Sequence, residues 1–252
     1  MAHPDPLSLV TGLFADINAQ LISIPRYMDK GDPMVVQWDE RIRKLNSTQP
    51  AVGALARALW STIHGDIDVF EIAIADARRA DALQEHILEL QTIGYSNLGY
   101  ASKALSAFQR LIDVRNSNIT AGIHVGVACG GFHHIEMAAV QAEKAKLDLS
   151  PIKSLPNWRI AAAALANQHV SDEVCAKIMD LAGEVMRPRR LFWMDTAPGI
   201  IANGIDQPVG VRMRVAVSPD EATLMELELA DLVIERGWQH LPFFVTFVGV
   251  NR

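Results

Sequence analysis

The sequence carries few of the features that mark secreted, membrane-spanning or motif-bearing catalytic chains. Only two of its 252 residues are cysteine, Cys129 and Cys175, 46 positions apart. That spacing makes no metal or redox motif and two thiols make no disulfide framework, a usage typical of a reducing compartment. No uninterrupted apolar run approaches the ~20 residues needed to cross a bilayer. The opening Met-Ala-His-Pro-Asp-Pro has no basic segment ahead of an apolar run, so no secretory signal is expected. Basic residues number 23 against 29 acidic ones, a net charge of −6, whereas nucleic-acid binders usually show a basic surplus. Missing as well are a Gly-x-Ser-x-Gly elbow, a Gly-x-x-x-x-Gly-Lys-Ser/Thr phosphate loop and a Gly-x-Gly-x-x-Gly turn after a strand. A soluble cytoplasmic protein with no cofactor, no nucleic-acid partner and no membrane partner is the expectation.

What is present is a globular composition, half apolar and 21% charged, long enough for one large domain or two modest ones. Leu9, Leu13, Ile17, Leu21 and Ile24 recur at helical spacing up to Pro25. Asp32-Pro33 is a start signal, an N-cap followed by proline in the first turn, for a helix to about Leu45. Further helices are expected at 51–64, 67–79, 82–98, 101–114, 119–130, 134–147, 158–169 and 172–186, the last with Ser171 as its N-cap. Arg187, Arg189 and Arg190 around Pro188 read as a solvated linker.

Gly31, Gly65 and Gly99 lie 34 residues apart. A 34-residue period of helix, turn and helix is the mark of one repeat class. The segment from Leu88 to Asn116, with Tyr95, Gly99, Ala104 and Phe108 at the tyrosine, turn-glycine, small-residue and aromatic positions, resembles a tetratricopeptide repeat. One period earlier the same places hold Ser61, Gly65, Phe70 and Ile74. One period later they hold Cys129, His133, Ala138 and Ala142, so the turn glycine is displaced to the neighbouring Gly130-Gly131. The outermost units, Tyr27-Gly31-Val36-Glu40 and Ala163-Asn167-Asp172-Ala176, depart further, as terminal capping repeats do. The resemblance covers about residues 17–186 and implies an antiparallel helix-pair array. The plainer alternative is a helical bundle with coincidentally spaced glycines.

After Arg190 the period changes. Leu191–Asp195 has strand character, 196–208 is rich in breakers and reads as a loop, and Val211, Met213, Val215 and Val217 alternate as in a half-buried strand. Ser218-Pro219-Asp220-Glu221 combines an N-cap, a proline at the first position and a capping-box glutamate, opening a helix that should stop at Gly237. Phe243–Val250 is apolar on both faces and reads as the central strand of a small, three-stranded sheet. The fold class is therefore mainly α, an array over 1–190 followed by a small α+β module over 191–252. A module that small needs to dock on the array or pair with a second copy, giving a homodimer.

Three groups of residues carry candidate chemistry. His124, Cys129, His133 and His134 could bind zinc, although their spacing matches no metal motif and Cys129 falls where the array needs a packed residue. Asp195 with Arg212 and Arg214 could form a catalytic site if their strands are adjacent, or simply be charges on a solvated sheet face. His64 and His86 read as isolated, partly exposed helix residues. The resemblance implies that the first helix of each pair lines a concave face, which points to Leu55, Leu59, Ile63, Glu89, Ile93, Asn97, Ile123 and Val127. Such a face suits a protein or peptide partner presenting an apolar helix or strand, and it lacks the Lys/Asn pairs of a carboxylate clamp. The leading expectation is a non-enzymatic adaptor. Its alternatives are an enzyme with a site between the two parts and a sensor of a small apolar ligand.

Overall fold

The structure, a computed structural model, describes residues 6–24, 26–114, 126–192 and 199–250. Helix starts follow the local chemistry of the sequence. After α1 (Pro6–Ser23), the Asp32 carboxylate accepts from the Met34 amide at 2.8 Å and Pro33 opens α2 (Pro33–Thr48). Pro50 opens α3 (Pro50–Ile63), and the Asp66 carboxylate caps α4 (Ile67–Arg79) through the Val69 amide at 3.0 Å. Then come α5 (Gln84–Asn97), α6 (Ala101–Val114), α7 (Phe132–Lys144), α8 (Leu155–Asn167) and α9 (Asp172–Met186). Consecutive helices pack as adjacent pairs, α3 on α4 and α5 on α6 most extensively. Gly65 and Gly99 turn the chain inside these pairs at φ +77° and +73°, a left-handed conformation that glycine adopts without a Cβ penalty. Gly31 does not adopt it, whereas Gly130 does, at φ +78°. Among the described residues no helix is long and apolar enough to cross a membrane.

The last quarter is a three-stranded sheet of order β1-β2-β3 with one helix. Strand β1 (Gly199–Ile201) runs antiparallel to β2 (Val209–Val215), and β3 (Phe243–Gly249) runs parallel to it. Between β2 and β3 lies α10 (Pro219–Glu235), capped by the Ser218 hydroxyl, which accepts from the Glu221 amide at 3.2 Å. Two expectations are corrected here. The stretch 196–208 is not wholly loop, because 199–201 pairs with Gly210–Arg212 despite its breaker-rich surroundings. The central strand is β2, and β3 is an edge. Strand β3 is apolar on both faces because Phe243, Val245 and Phe247 point into the core while Phe244 folds over the bare backbone of Gly210. One amide of its free edge is occupied by Glu226 of α10, whose carboxylate accepts from the Phe247 amide at 3.0 Å and from the Thr246 hydroxyl. An occupied edge amide is one that no other chain can pair with.

The inner face of the sheet rests on α8 and α9, with Phe132 of α7 meeting Phe243 edge-on at 6.1 Å. One buried hydrophobic cluster runs from Leu13 to Phe247, so docking on the helices supplies the core that the sheet alone would lack. Leu191, expected in a strand, makes a single antiparallel bridge to Arg26.

Candidate functional site

An apolar concavity of the helical part lies among α1, α3 and α5. Its volume is about 360 Å³ and its walls are Phe14, Val52, Leu55, Leu59, Leu90 and Ile93, with Asn18, His86 and Glu89 as the polar members. Helical geometry explains the set: Val52, Leu55 and Leu59 lie at spacings of three and four along α3, as do His86, Glu89, Leu90 and Ile93 along α5. Four residues expected on a concave face, Leu55, Leu59, Glu89 and Ile93, are brought together here. Ile63 is instead fully buried, and its carbonyl accepts from the Met28 amide at 2.9 Å. Asn97 is half-buried and its carbonyl accepts from the Tyr27 hydroxyl at 2.9 Å. Val127 is fully buried in the core, and Ile123 lies outside the described residues. Val52, His86 and Leu90 were missed although they share helix faces with expected residues, and Phe14 and Asn18 were missed because nothing in the sequence says that α1 packs beside the other two helices.

A second constellation is polar. Asp172, 2% exposed at the first position of α9, reaches the first turn of α7. Its Oδ1 accepts from the His133 amide at 3.0 Å and meets His133 Nδ1 at 2.7 Å. Its Oδ2 accepts from the His134 amide at 3.1 Å and meets His134 Nδ1 at 2.7 Å. One carboxylate thus satisfies two orphan amides of α7 while lying at the positive ends of two helix dipoles. Burial works to raise the Asp172 pKa, but the hydrogen bonds from His133 and His134 outweigh it and hold the group at about 2. His133 is pushed up in turn, chiefly by its hydrogen bond to Asp172.

No known protein-family model, curated protein or solved structure matches this chain. The site has to be read from its own chemistry.

The described residues singled out for metal binding, Cys129, His133 and His134, do not assemble. Cys129 is fully buried and its thiol donates to the Gly126 carbonyl at 3.2 Å, while the two imidazoles turn their Nδ1 atoms to Asp172. His124 lies outside the described residues, and among the described ones no group of three His, Cys, Asp or Glu is placed to hold a metal ion. Burial raises the pKa of both Cys129 and Cys175, leaving little nucleophilic thiolate. Iodoacetamide at neutral pH should therefore leave both thiols intact for hours in the folded chain and alkylate both in denaturant. Rapid labelling of the native protein, followed by mass spectrometry, would place a thiol outside the core.

Arg212 and Arg214 stand exposed on the outer face of β2, alternating with buried Val211, Met213 and Val215. Asp195 lies outside the described residues. His86 is exposed but lines the apolar cavity instead of standing isolated, and His64 is only 4% exposed and packs edge-on against Trp60 at 4.2 Å. Neither of its ring nitrogens has a hydrogen-bond partner among the described residues. Burial, and then the charge of Lys30, lowers its pKa to about 4. The basic cluster is a clasp rather than a solvated linker. Arg187 donates to the Gly99 carbonyl and lies over the Tyr100 ring at 4.4 Å. Arg189 pairs with Glu221 at 2.8 Å and Glu228 at 2.9 Å. Arg190 reaches the Met28 carbonyl at 3.0 Å and Asp29 at 3.2 Å.

Proposed function

We propose that this chain is a non-enzymatic binding protein, a helix-pair array of the tetratricopeptide type whose groove among α1, α3 and α5 receives the apolar face of a partner's amphipathic helix. The observation that carries this reading is the convergence of Leu55, Leu59, Glu89 and Ile93 on one cavity of about 360 Å³. Six apolar side chains form its walls, and the exposed Asn18 and His86 stand among them. An apolar slot with polar groups at its mouth matches the way amphipathic helices dock, by anchors at positions i, i+3, i+4 and i+7. The 34-residue spacing of the turn glycines Gly65 and Gly99 and the adjacent helix pairs support the array assignment.

Screening a library of helical peptides against the full chain tests the proposal. Peptides with apolar anchors at helical spacing should be enriched, and Ile93→Asp should weaken them by at least about tenfold. Ile93 is half-buried, so this variant should stay folded. Leu59 is 3% exposed, and Leu59→Asp should destabilise the fold by several kcal/mol through burial of an unpaired charge, which makes it the wrong probe. No enrichment, or equal affinity for the Ile93→Asp chain, would sink the groove assignment. A second reading, a small apolar ligand, is favoured by the cavity's volume, which falls in the range of small-molecule sites (about 300–1,000 Å³). It predicts that a medium-chain fatty acid or alcohol raises the melting temperature of the wild type and not of the Ile93→Asp chain.

A further inference from the structure

A second cleft, of about 560 Å³, lies among α4, α5 and α6 and shares no lining residue with the apolar cavity. Helix α6 presents Ser102, Ser106 and Arg110 to it at spacings of four, and α4 presents Glu71 and Arg78 at a spacing of seven. Gln91 and Tyr95 of α5, one turn apart, form its polar floor. Three cations, Arg78, Lys103 and Arg110, and one carboxylate, Glu71, line the cleft, and a second carboxylate, Asp180, accepts from the Ser102 amide at 3.1 Å, so the lining is net basic in a chain whose net charge is −6.

The charges are not all engaged with one another. Lys103 is held by Glu71 and lies 5.4 Å from the ring centres of Tyr95 and Tyr100. Arg78 donates one nitrogen to the side-chain oxygen of Gln91 at 3.0 Å. Gln91 is 7% exposed, so this contact fixes the direction of the guanidinium while leaving its other donors available. Arg110, on α6, has no ion-pair partner among the described residues, and the shielded Ser102 hydroxyl has no hydrogen-bond partner among them. Two guanidinium forks carried by different helices, α4 and α6, on a cleft that the Ser102 and Ser106 side chains also line, match a tetrahedral dianion better than a planar monoanion.

We propose that this cleft binds a phosphoryl group between Arg78 and Arg110, carried either on a small phosphate ester or on a phosphorylated side chain. Calorimetric titration of the full chain at low ionic strength tests it, with phosphoserine, a phosphoserine-containing peptide and malonate as the three probes. Phosphoserine should bind and malonate should bind at least about tenfold more weakly. Arg110→Gln should reduce phosphoserine affinity about tenfold, and Arg78→Gln with Arg110→Gln should abolish binding. Both arginines are exposed, so the double variant should keep its far-ultraviolet circular dichroism. Arg236→Gln, an exposed change on the other side of the chain sequence, should bind as the wild type does. A peptide much tighter than free phosphoserine identifies a phosphorylated side chain as the natural source, and equal affinities identify a small ester. No heat with either phosphate probe, malonate binding as tightly as phosphoserine, or undiminished binding by the folded double variant would overturn the assignment.

Discussion

Asp172→Asn should lower the unfolding free energy by about 3 kcal/mol, the usual consequence of removing one partner from a buried charged network. The amide can accept through one oxygen only, so its NH2 group would confront either the His133 or the His134 donors, all of which now point at the carboxylate. The pH dependence follows from the two shifts. Asp172 is held at about 2 against its ordinary 3.8, so its contribution is complete above pH 3.8 and disappears as the pH falls through that value towards 2. His133 is raised above its ordinary 6.5, so its contribution is complete below that value and is lost as the pH rises through its folded pKa. The cost of the substitution should therefore peak between about pH 4 and pH 6.5 and shrink on both sides. Comparing the variant with the wild type at each pH cancels the separate titration of His64. Urea denaturation of both proteins near pH 3, 5 and 8 measures it, and a cost that is small or flat across the three would show that the carboxylate does not hold the two helices together.

Gly183→Val should be at least as damaging. At Gly183, α9 passes against the turn before α6, where a Cβ would collide with the Gly99 carbonyl and lie 2.8 Å from its carbon. Neither backbone can retreat, because the same carbonyl accepts from Arg187, whose guanidinium is stacked on Tyr100. Overpacking of this kind costs about 3 kcal/mol or more, which in a chain of this length is a fall of roughly 10 °C in melting temperature. Gly31→Ala makes the informative contrast. It belongs to the same 34-residue series, but nothing lies within 4 Å of its Cβ position and its φ is not positive. Its effect should stay within about 0.5 kcal/mol. Thermal unfolding followed by circular dichroism ranks the two, and a Gly183→Val protein as stable as the wild type would show that the crossing is looser than described.

Where local chemistry decides, the sequence was readable. Helices α4, α6 and α9 begin and end where spacing puts them, Asp32 and Ser218 cap the helices that they precede, and Ser171 takes the N-cap position of α9 without a side-chain cap bond. Part of the groove was readable for the same reason, since residues three or four apart on one helix share a face. What was not readable depends on partners distant in the chain. Strand β1 exists because β2 pairs with it and because Asn157 of α8 donates to the Ile200 carbonyl at 2.9 Å, and no local pattern in a Pro- and Gly-rich stretch reports that. His133 and His134 looked like metal ligands because their real partner, Asp172, lies almost forty residues away. His64 looked exposed because the end of a helix usually is. The arginines around Pro188 looked solvated because the carboxylates and carbonyls that bind them belong to three other parts of the chain.

That clasp changes how the molecule can come apart. In an open solenoid each repeat touches only its neighbours, and the ends fray first. Here the Tyr27 amide donates to the Arg190 carbonyl at 2.9 Å, Arg26 reaches the Ala216 carbonyl at 3.0 Å, and Tyr27 meets Phe192 edge-on at 4.4 Å. The first helices are thus tied to the last ones and to the sheet, closing a loop of more than 160 residues. Such a loop is slow to form, because its entropy is lost before its contacts are made. On the ribosome the N-terminal helices must wait for residue 190 and beyond before their outer surface is covered. Once closed, the loop joins the helices between residues 27 and 190 to the sheet, so those helices and the sheet should open together.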